Sequence, residues 1–385
     1  MLALTARTLF TPLERIERPL LLIEDGRIVR VSAQPSGAVP SGAQHKDFGD
    51  SILAPGLIDI HIHGSAGYDV MQDDEPAQKK FEQFLAQHGV TSYYPTTVTA
   101  PLETTLSALE RLGKAIESKT RAAGYAQPLG IHLEGPFLSH VRRGAHLPEQ
   151  LLPPDLRTFD RLWQASRAQI RVMTIAPELP GAAEVIAEAA KRGVCVSVGH
   201  SDATGEQTGA AVAAGARHAT HTFNAMRPLD HRAPGILGEV LSNPAITADL
   251  IADGVHVHPS IVRLFLKAKG PEHAVLITDA TAAAGMPDGR YQLGPLEVEV
   301  RDGKCLRDGK LAGSLLTLDR AIQNVMGFAA WDLQPAVRLA TLNPARVAGA
   351  KGKGIIAEGA DADLIEMNNS GEIQASIAKG EFVQR

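Results

Sequence analysis

The amino-acid sequence predicts an α/β fold: a (β/α)8 TIM-like barrel with a small β-sandwich domain built from both chain termini. Three observations carry that expectation. Eight short apolar runs alternate with amphipathic stretches through the middle of the chain, the pattern of parallel strands joined by crossover helices. Short β-rich runs broken by turn residues occupy both ends. At 385 residues with 44% hydrophobic content, the chain exceeds the size at which one core usually stops growing, so a large domain plus an accessory one is expected.

Taken in order, the N-terminal segment contains "LLIEDGRIVRVS", in which Asp25-Gly26 sits between two apolar runs as a hairpin turn does. The pattern returns near the C-terminus in "GIIAEGADADLIEM" and "GEIQASIAKGEFVQ", short strands punctuated by Gly and Asp. These segments assign residues 1–53 and 345–385 to the small β domain and 54–344 to the barrel. The eight barrel runs are 57–63, 91–98, 129–134, 171–176, 194–200, 217–222, 246–252 and 274–279. Between them, "PAQKKFEQFLAQHG" places Phe81, Phe84 and Leu85 on one helical face, and "PGAAEVIAEAAKRG" opens on Pro and closes on Gly. A doubly wound open sheet alternates in the same way, but no Gly-rich phosphate fingerprint follows the early strands. "GAKGKGII" near residue 354 reads as a turn, not a nucleotide cradle.

Composition narrows the partners. The net charge of −5 leaves no basic footprint for nucleic acid. No apolar run reaches the roughly 18 to 20 residues that cross a bilayer, and Met1 to Phe10 lacks the apolar core of a secretory signal. The expectation is a soluble, cytoplasmic protein with no membrane partner. Cys195 and Cys305, the two cysteines, lie far apart; they indicate neither a disulfide framework nor a thiolate zinc site and read as small buried apolar residues.

In a barrel, functional side chains project from the C-terminal ends of the strands, and polar residues gather there. In "PGLIDIHIHG", Asp59, His61 and His63 alternate with Ile60 and Ile62, so all three share one face of the first strand. The third run ends at Glu134 before Gly135-Pro136, the fifth at His200, the sixth near His221, and the eighth at Asp279 after "AVLIT". Each is weak alone, since a strand-end Glu is usually solvated and Asp279 could cap the next helix. Together, two His, a Glu, two further His and an Asp arriving at one rim point to a divalent metal, zinc or another first-row ion. Such an ion acidifies water and polarises a carbonyl, and the remaining Asp279 is placed to take a proton and pass it to a departing nitrogen.

With these residues in view, "APGLIDIHIHG" resembles the opening signature of the amidohydrolase superfamily. "HLEGPF" at 132–137, "GAH" at 144–146, "VGHSDAT" at 198–204, "HTFNAM" at 221–226, "IADGVHV" at 251–257, "LITDA" at 276–280 and "LAGS" at 311–314 extend the resemblance over nearly the whole chain, to its N-acetylglucosamine-6-phosphate deacetylase family. Many superfamily members bridge their metals with a carbamylated lysine on the fourth strand, but "RVMTIAPE" has no lysine. In this family Glu134 takes that place, which argues against hydantoinase and dihydroorotase readings.

The resemblance implies Glu134, His200 and His221 as ligands of one metal, with His61 and His63 available for a second, and Asp279 as general acid/base. The ion would be Zn2+, with Fe2+, Co2+ or Mn2+ as alternatives, one or two per subunit. Substrate contacts are implied for Ala145, His146, Asn224, Ala225, His256, Leu311, Ala312, Gly313 and Ser314, with Arg232 pairing a phosphate. "RPLDH" is more charged than the family's phosphate loop, so Arg227 is the alternative; spacing from His221 favours Arg232. The expected substrate is an amino-sugar phosphate, N-acetyl-D-glucosamine 6-phosphate or its galacto epimer, and the expected assembly a homodimer whose phosphate arginine comes from the neighbouring subunit. His45, His88, His140, His218, His231, His258 and His273 are read as surface or packing residues.

Overall fold

The structure, a computed structural model, describes residues 1–33, 39–118 and 123–384; positions 34–38 and 385 of the expected terminal domain lie outside them. The eight expected runs form eight parallel strands: Leu57–Ile62, Val90–Thr97, Ile131–Glu134, Ile170–Ile175, Cys195–Val198, His218–Ala219, Thr247–Ile251 and Ala274–Ile277. Each pairs with the next in order. The strands are largely apolar because helices cover the outer face of the sheet while the inner face fills the barrel. At the last seam, Asp279 N–H donates to His61 O (2.9 Å) and His63 N–H to Ala280 O (2.8 Å) at the C-terminal rim. Lower down, Ala340 O and Leu339 O accept from Ile58 and Leu276 (2.8 and 2.9 Å) and fill the gap.

Helix Glu75–Gln87 is capped by Asp74, whose side chain accepts from Ala77 N–H, and it buries Phe81 and Leu85 against the barrel. Helix Ala182–Lys191 starts at left-handed Gly181 and buries Val185, Ile186 and Ala189.

Both chain ends contribute to one six-stranded sheet, in the order Glu381–Phe382, Ile373–Ala378, Leu364–Met367, Ile52–Pro55, Thr8–Phe10, Arg15–Glu17. A four-stranded sheet, Arg27–Ala33, Pro19–Glu24, Leu2–Thr5 and Gln44–Asp47, shares its apolar core, with Leu4, Leu21, Ile23 and Ile28 meeting Leu9, Leu53, Leu364 and Ile377. Asp25 and Gly26 turn between two of those strands with φ of 50° and 72°, as a two-residue hairpin requires. Strand Ile52–Pro55 runs through Gly56 straight into the first barrel strand. A Cβ on Gly56 would lie 2.2 Å from Thr91 Oγ1, so this junction excludes any side chain.

One element departs from the expected plan of a plain barrel up to residue 344. After the eighth strand the chain forms a four-stranded antiparallel sheet, Gly289–Leu293, Leu296–Arg301, Lys304–Arg307 and Lys310–Leu311. Its alternating residues Leu296, Val298 and Val300 are buried, with Cys305, against Val98, Ala283 and Ala312 at the barrel mouth. Arg307 pins it to the loop after the third strand by donating to Ala145 O. No helix among the described residues is long and apolar enough to cross a membrane.

Candidate metal centre and active site

The rim of the barrel brings all six expected metal and acid/base residues together, each at least nine-tenths buried. Glu134 lies at the centre. Its Oε1 is 3.2 Å from His200 Nε2 and 3.1 Å from His221 Nε2, and those two nitrogens are 3.0 Å apart. Its Oε2 faces the other pair, 3.6 Å from His61 Nε2 and 3.3 Å from His63 Nε2. Asp279 Oδ1 closes that second group, 3.4 and 3.1 Å from the same two nitrogens. The donor atoms of His61, His63 and Asp279 lie within 4.8 Å of one another, as do those of Glu134, His200 and His221.

This arrangement fits divalent metals. Two ligands bound at about 2.1 Å and at a tetrahedral angle stand about 3.4 Å apart, close to the spacings across both groups. Among the described residues no lysine or arginine lines the cavity beside them, so imidazoles are what offset the two buried carboxylates there. Burial pushes the Glu134 carboxyl up, but the charge of His61 and hydrogen bonds from His200, His221 and His61 outweigh it and hold it well below the usual carboxylate range. Burial likewise opposes ionisation of Asp279, while a hydrogen bond from His63 and the charges of His61, His63 and His221 bring it down to about 2.

Local backbone geometry delivers these side chains. His200, His221 and Asp279 each stand two residues past a strand end and have positive φ of 48°, 30° and 51°, which turns each side chain inward from a chain leaving the barrel. His63 Nδ1 meets Thr96 O at 3.0 Å and His200 Nδ1 meets Arg142 O at 2.9 Å, so Nε2 of both rings is left facing Glu134. Ser314 donates its hydroxyl to Thr278 O (2.5 Å) and its N–H to Asp279 O (2.7 Å), holding the backbone of the acid.

A cavity of about 150 Å³ opens over Glu134. Among its lining residues are the expected Ala145, His146, Asn224, Ala225, His256, Leu311, Ala312 and Gly313. His146 Nδ1 accepts from Thr99 N–H at 3.3 Å and meets Thr99 Oγ1 at 2.9 Å, which leaves Nε2–H as a donor on the site side, 3.7 Å from Glu134 Oε2. Burial, with the nearby His200 second, pushes this imidazole down to about 3, so it stays neutral. His256 is held by Asp253, whose Oδ2 is 2.6 Å from Nδ1 while Oδ1 accepts from the His256 backbone at 2.7 Å. Leu293 and Leu311 of the four-stranded insert form the opposite wall.

Two expected contacts fall outside that lining. Ser314 points back at the eighth strand as described, and Arg232 is exposed in the 228–234 loop, where its N–H donates to Asp230 Oδ1 at 2.8 Å. Arg227, the alternative, is tied to Asp202 at 2.8 Å. Of the histidines set aside, His45 bonds Thr5, His88 bonds Asp319 and His258 caps a helix, while His140 and His231 are exposed. His218 is one of the packing residues of that group: it is wholly buried, with its Nε2 3.0 Å from Asp249 Oδ2. His132, not singled out from the sequence, packs its ring 4.5 Å from that of His61 and bridges Ile60 O and Thr174 Oγ1, both at 2.8 Å. Its alternation with Glu134 on one strand face was the available signal.

Comparison with known proteins agrees with this geometry. The amidohydrolase family profile matches residues 52–383. The chain is 38% identical to an N-acetylgalactosamine-6-phosphate deacetylase of Escherichia coli, over 98% of both chains. It is 37% identical to an N-acetylglucosamine-6-phosphate deacetylase of Lysinibacillus sphaericus, over 95% of this chain and 93% of the other. A solved structure of the Mycobacterium smegmatis N-acetyl-D-glucosamine-6-phosphate deacetylase, a mutant in complex with N-acetyl-D-glucosamine-6-phosphate, superposes with a TM-score of 0.92 at 37% identity, covering 100% of this chain and 99% of that one. The chain belongs to the amidohydrolase family, alongside the amino-sugar phosphate deacetylases that it matches along nearly all of its length.

Proposed function

We propose that this amidohydrolase removes the acetyl group of N-acetyl-D-glucosamine 6-phosphate, yielding D-glucosamine 6-phosphate and acetate. The observation that carries the reading is Glu134, which divides its two oxygens between two histidine pairs beside Asp279 at the base of a cavity. Glu134, His200 and His221 would hold one divalent ion and His61 and His63 a second, zinc first, with iron, cobalt and manganese as alternatives. When bound, such an ion polarises the amide carbonyl and acidifies water at neutral pH.

The chain's own residues do the rest. Asp279, ionised and 3.1 Å from His63 Nε2, takes the proton of the water that attacks the acetamide carbonyl and delivers it to the nitrogen as the C–N bond breaks. The Nε2–H of neutral His146 is a fixed donor for the carbonyl oxygen. His256, oriented by Asp253, meets sugar hydroxyls, and Asn224 with Ala225 meets the phosphate. Because the described residues of the cavity lining include no lysine or arginine, the phosphate dianion needs a cation from elsewhere. Arg232, exposed in the 228–234 loop, serves across the interface of a homodimer, where its planar fork donates two parallel bonds.

The galacto epimer is the second reading, favoured by the Escherichia coli relative at 38% identity. A comparison of kcat/KM for the two 6-phosphates tests the choice: a gluco preference supports the proposal, and a galacto preference of tenfold or more replaces it with the epimer.

A further inference from the structure

The four metal-facing imidazoles are not held alike. His63 and His200 are oriented through their rings, each Nδ1 meeting a backbone carbonyl. His61 Nδ1 and His221 Nδ1 are buried and have no hydrogen-bond partner among the described residues. Something other than the ring must aim these two side chains, and the backbone contacts supply it. His61 N–H donates to Asp59 Oδ1 at 3.2 Å, and His221 N–H donates to Asp249 Oδ1. Both aspartates are completely buried.

Asp249 is the more telling of the two because His221 has φ of 30°, a strained conformation for a residue with a Cβ. The carboxylate holds that conformation from below. Its Oδ2 is 3.0 Å from His218 Nε2, and His218 Nδ1 is 2.8 Å from Thr247 Oγ1. Asp249 O also accepts from Thr222 N–H at 2.9 Å. The residues on both sides of the His221 peptide are thereby fixed to the seventh strand, Thr247–Ile251.

We propose that Asp249 is a positioning residue that aims His221 Nε2 at the metal through the His221 backbone, with His218 bracing the carboxylate from the far side. The assignment rests on the metal-dependent reading of Glu134, His200 and His221. It requires no contact between Asp249 and the substrate. Asp59 makes the corresponding contact to His61 and, through Thr278 Oγ1 at 2.6 Å, reaches the residue before Asp279.

The test is zinc affinity of the metal-stripped full chain, measured by competition with a chromophoric chelator, with thermal unfolding of the same metal-free samples alongside. Zinc binding by the unsubstituted chain tests the metal site itself; the ratio between variants tests Asp249. Losing a group that orients a metal ligand typically weakens binding about 10- to 100-fold, and that loss is expected for Asp249→Ala. Asp249→Asn, which keeps an acceptor for His221 N–H, is expected to bind within about threefold of the unsubstituted chain. If the alanine variant does not fold, Asp249→Ser replaces it, since its shorter side chain cannot span to the His221 amide. Lowered melting temperature with zinc affinity unchanged within threefold in the alanine or serine variant overturns the proposal, as does an asparagine variant as weak as the alanine one.

Discussion

Asp279→Asn isolates proton transfer from everything else in the site. Asparagine has the shape of aspartate and tolerates the positive φ of 51° at this position. The Ser314 N–H and His61 O hold the Asp279 backbone, contacts that asparagine keeps. The substitution therefore leaves the rim intact and keeps the Glu134, His200 and His221 group unchanged. What disappears is a carboxylate that carries a charge throughout the neutral range, because burial is outweighed by the His63 hydrogen bond and the surrounding imidazoles. A positioned general acid/base contributes about 10²- to 10⁴-fold, or about 3–5 kcal/mol of barrier. Acetate release from N-acetylglucosamine 6-phosphate is expected to fall by at least 100-fold with metal content retained at the Glu134 group. The assay is acetate production by metal-quantified protein. Activity within tenfold of the unsubstituted enzyme refutes the role given to Asp279.

Arg232→Ala is expected to raise KM for the phosphorylated sugar and to spare turnover of unphosphorylated N-acetylglucosamine; an unchanged KM transfers the role to Arg227, which Asp202 now engages. Gly56→Ala drives a methyl to within 2.2 Å of Thr91 Oγ1, an overpacking that costs about 1–3 kcal/mol and is read as a lower denaturation midpoint. Lys269 is buried under helix Gly235–Ser242, donating to Val240 O and Asn243 O, and burial pushes it down to about 8. A base whose folded pKa lies below its unfolded value penalises the folded state while both forms are protonated, so stability rises as pH climbs from about 8 to the ordinary 10.5. Lys269→Met is expected to flatten that rise, and an identical pH profile in the variant rules the lysine out as its source.

Much of the architecture was legible because the apolar runs are both short and evenly punctuated. All eight barrel strands lie where those runs were counted, and the strand-end residues His61, His63, Glu134, His200, His221 and Asp279 converge because a barrel directs every such end to one rim. The insert at 289–311 was missed although its hairpin signals, Asp302-Gly303 and Asp308-Gly309, stand in the sequence with positive φ at all four residues. An alternating strand pattern appended to a barrel repeat looks like its continuation until the antiparallel register is seen. Asp249 escaped, and Ser314 was expected at the substrate instead of the strand backbone, for a different reason. Their roles are hydrogen bonds to the backbone of residues 36 and 28 positions away, a relation that no local spacing encodes.

The most direct test of metal-dependent deacetylation is acetate release from N-acetylglucosamine 6-phosphate by metal-quantified protein, before and after chelation and again after zinc is restored. Release is expected to be lost on chelation, regained with zinc and faster for the gluco than for the galacto 6-phosphate. No release from either epimer by protein carrying bound metal would contradict this expectation.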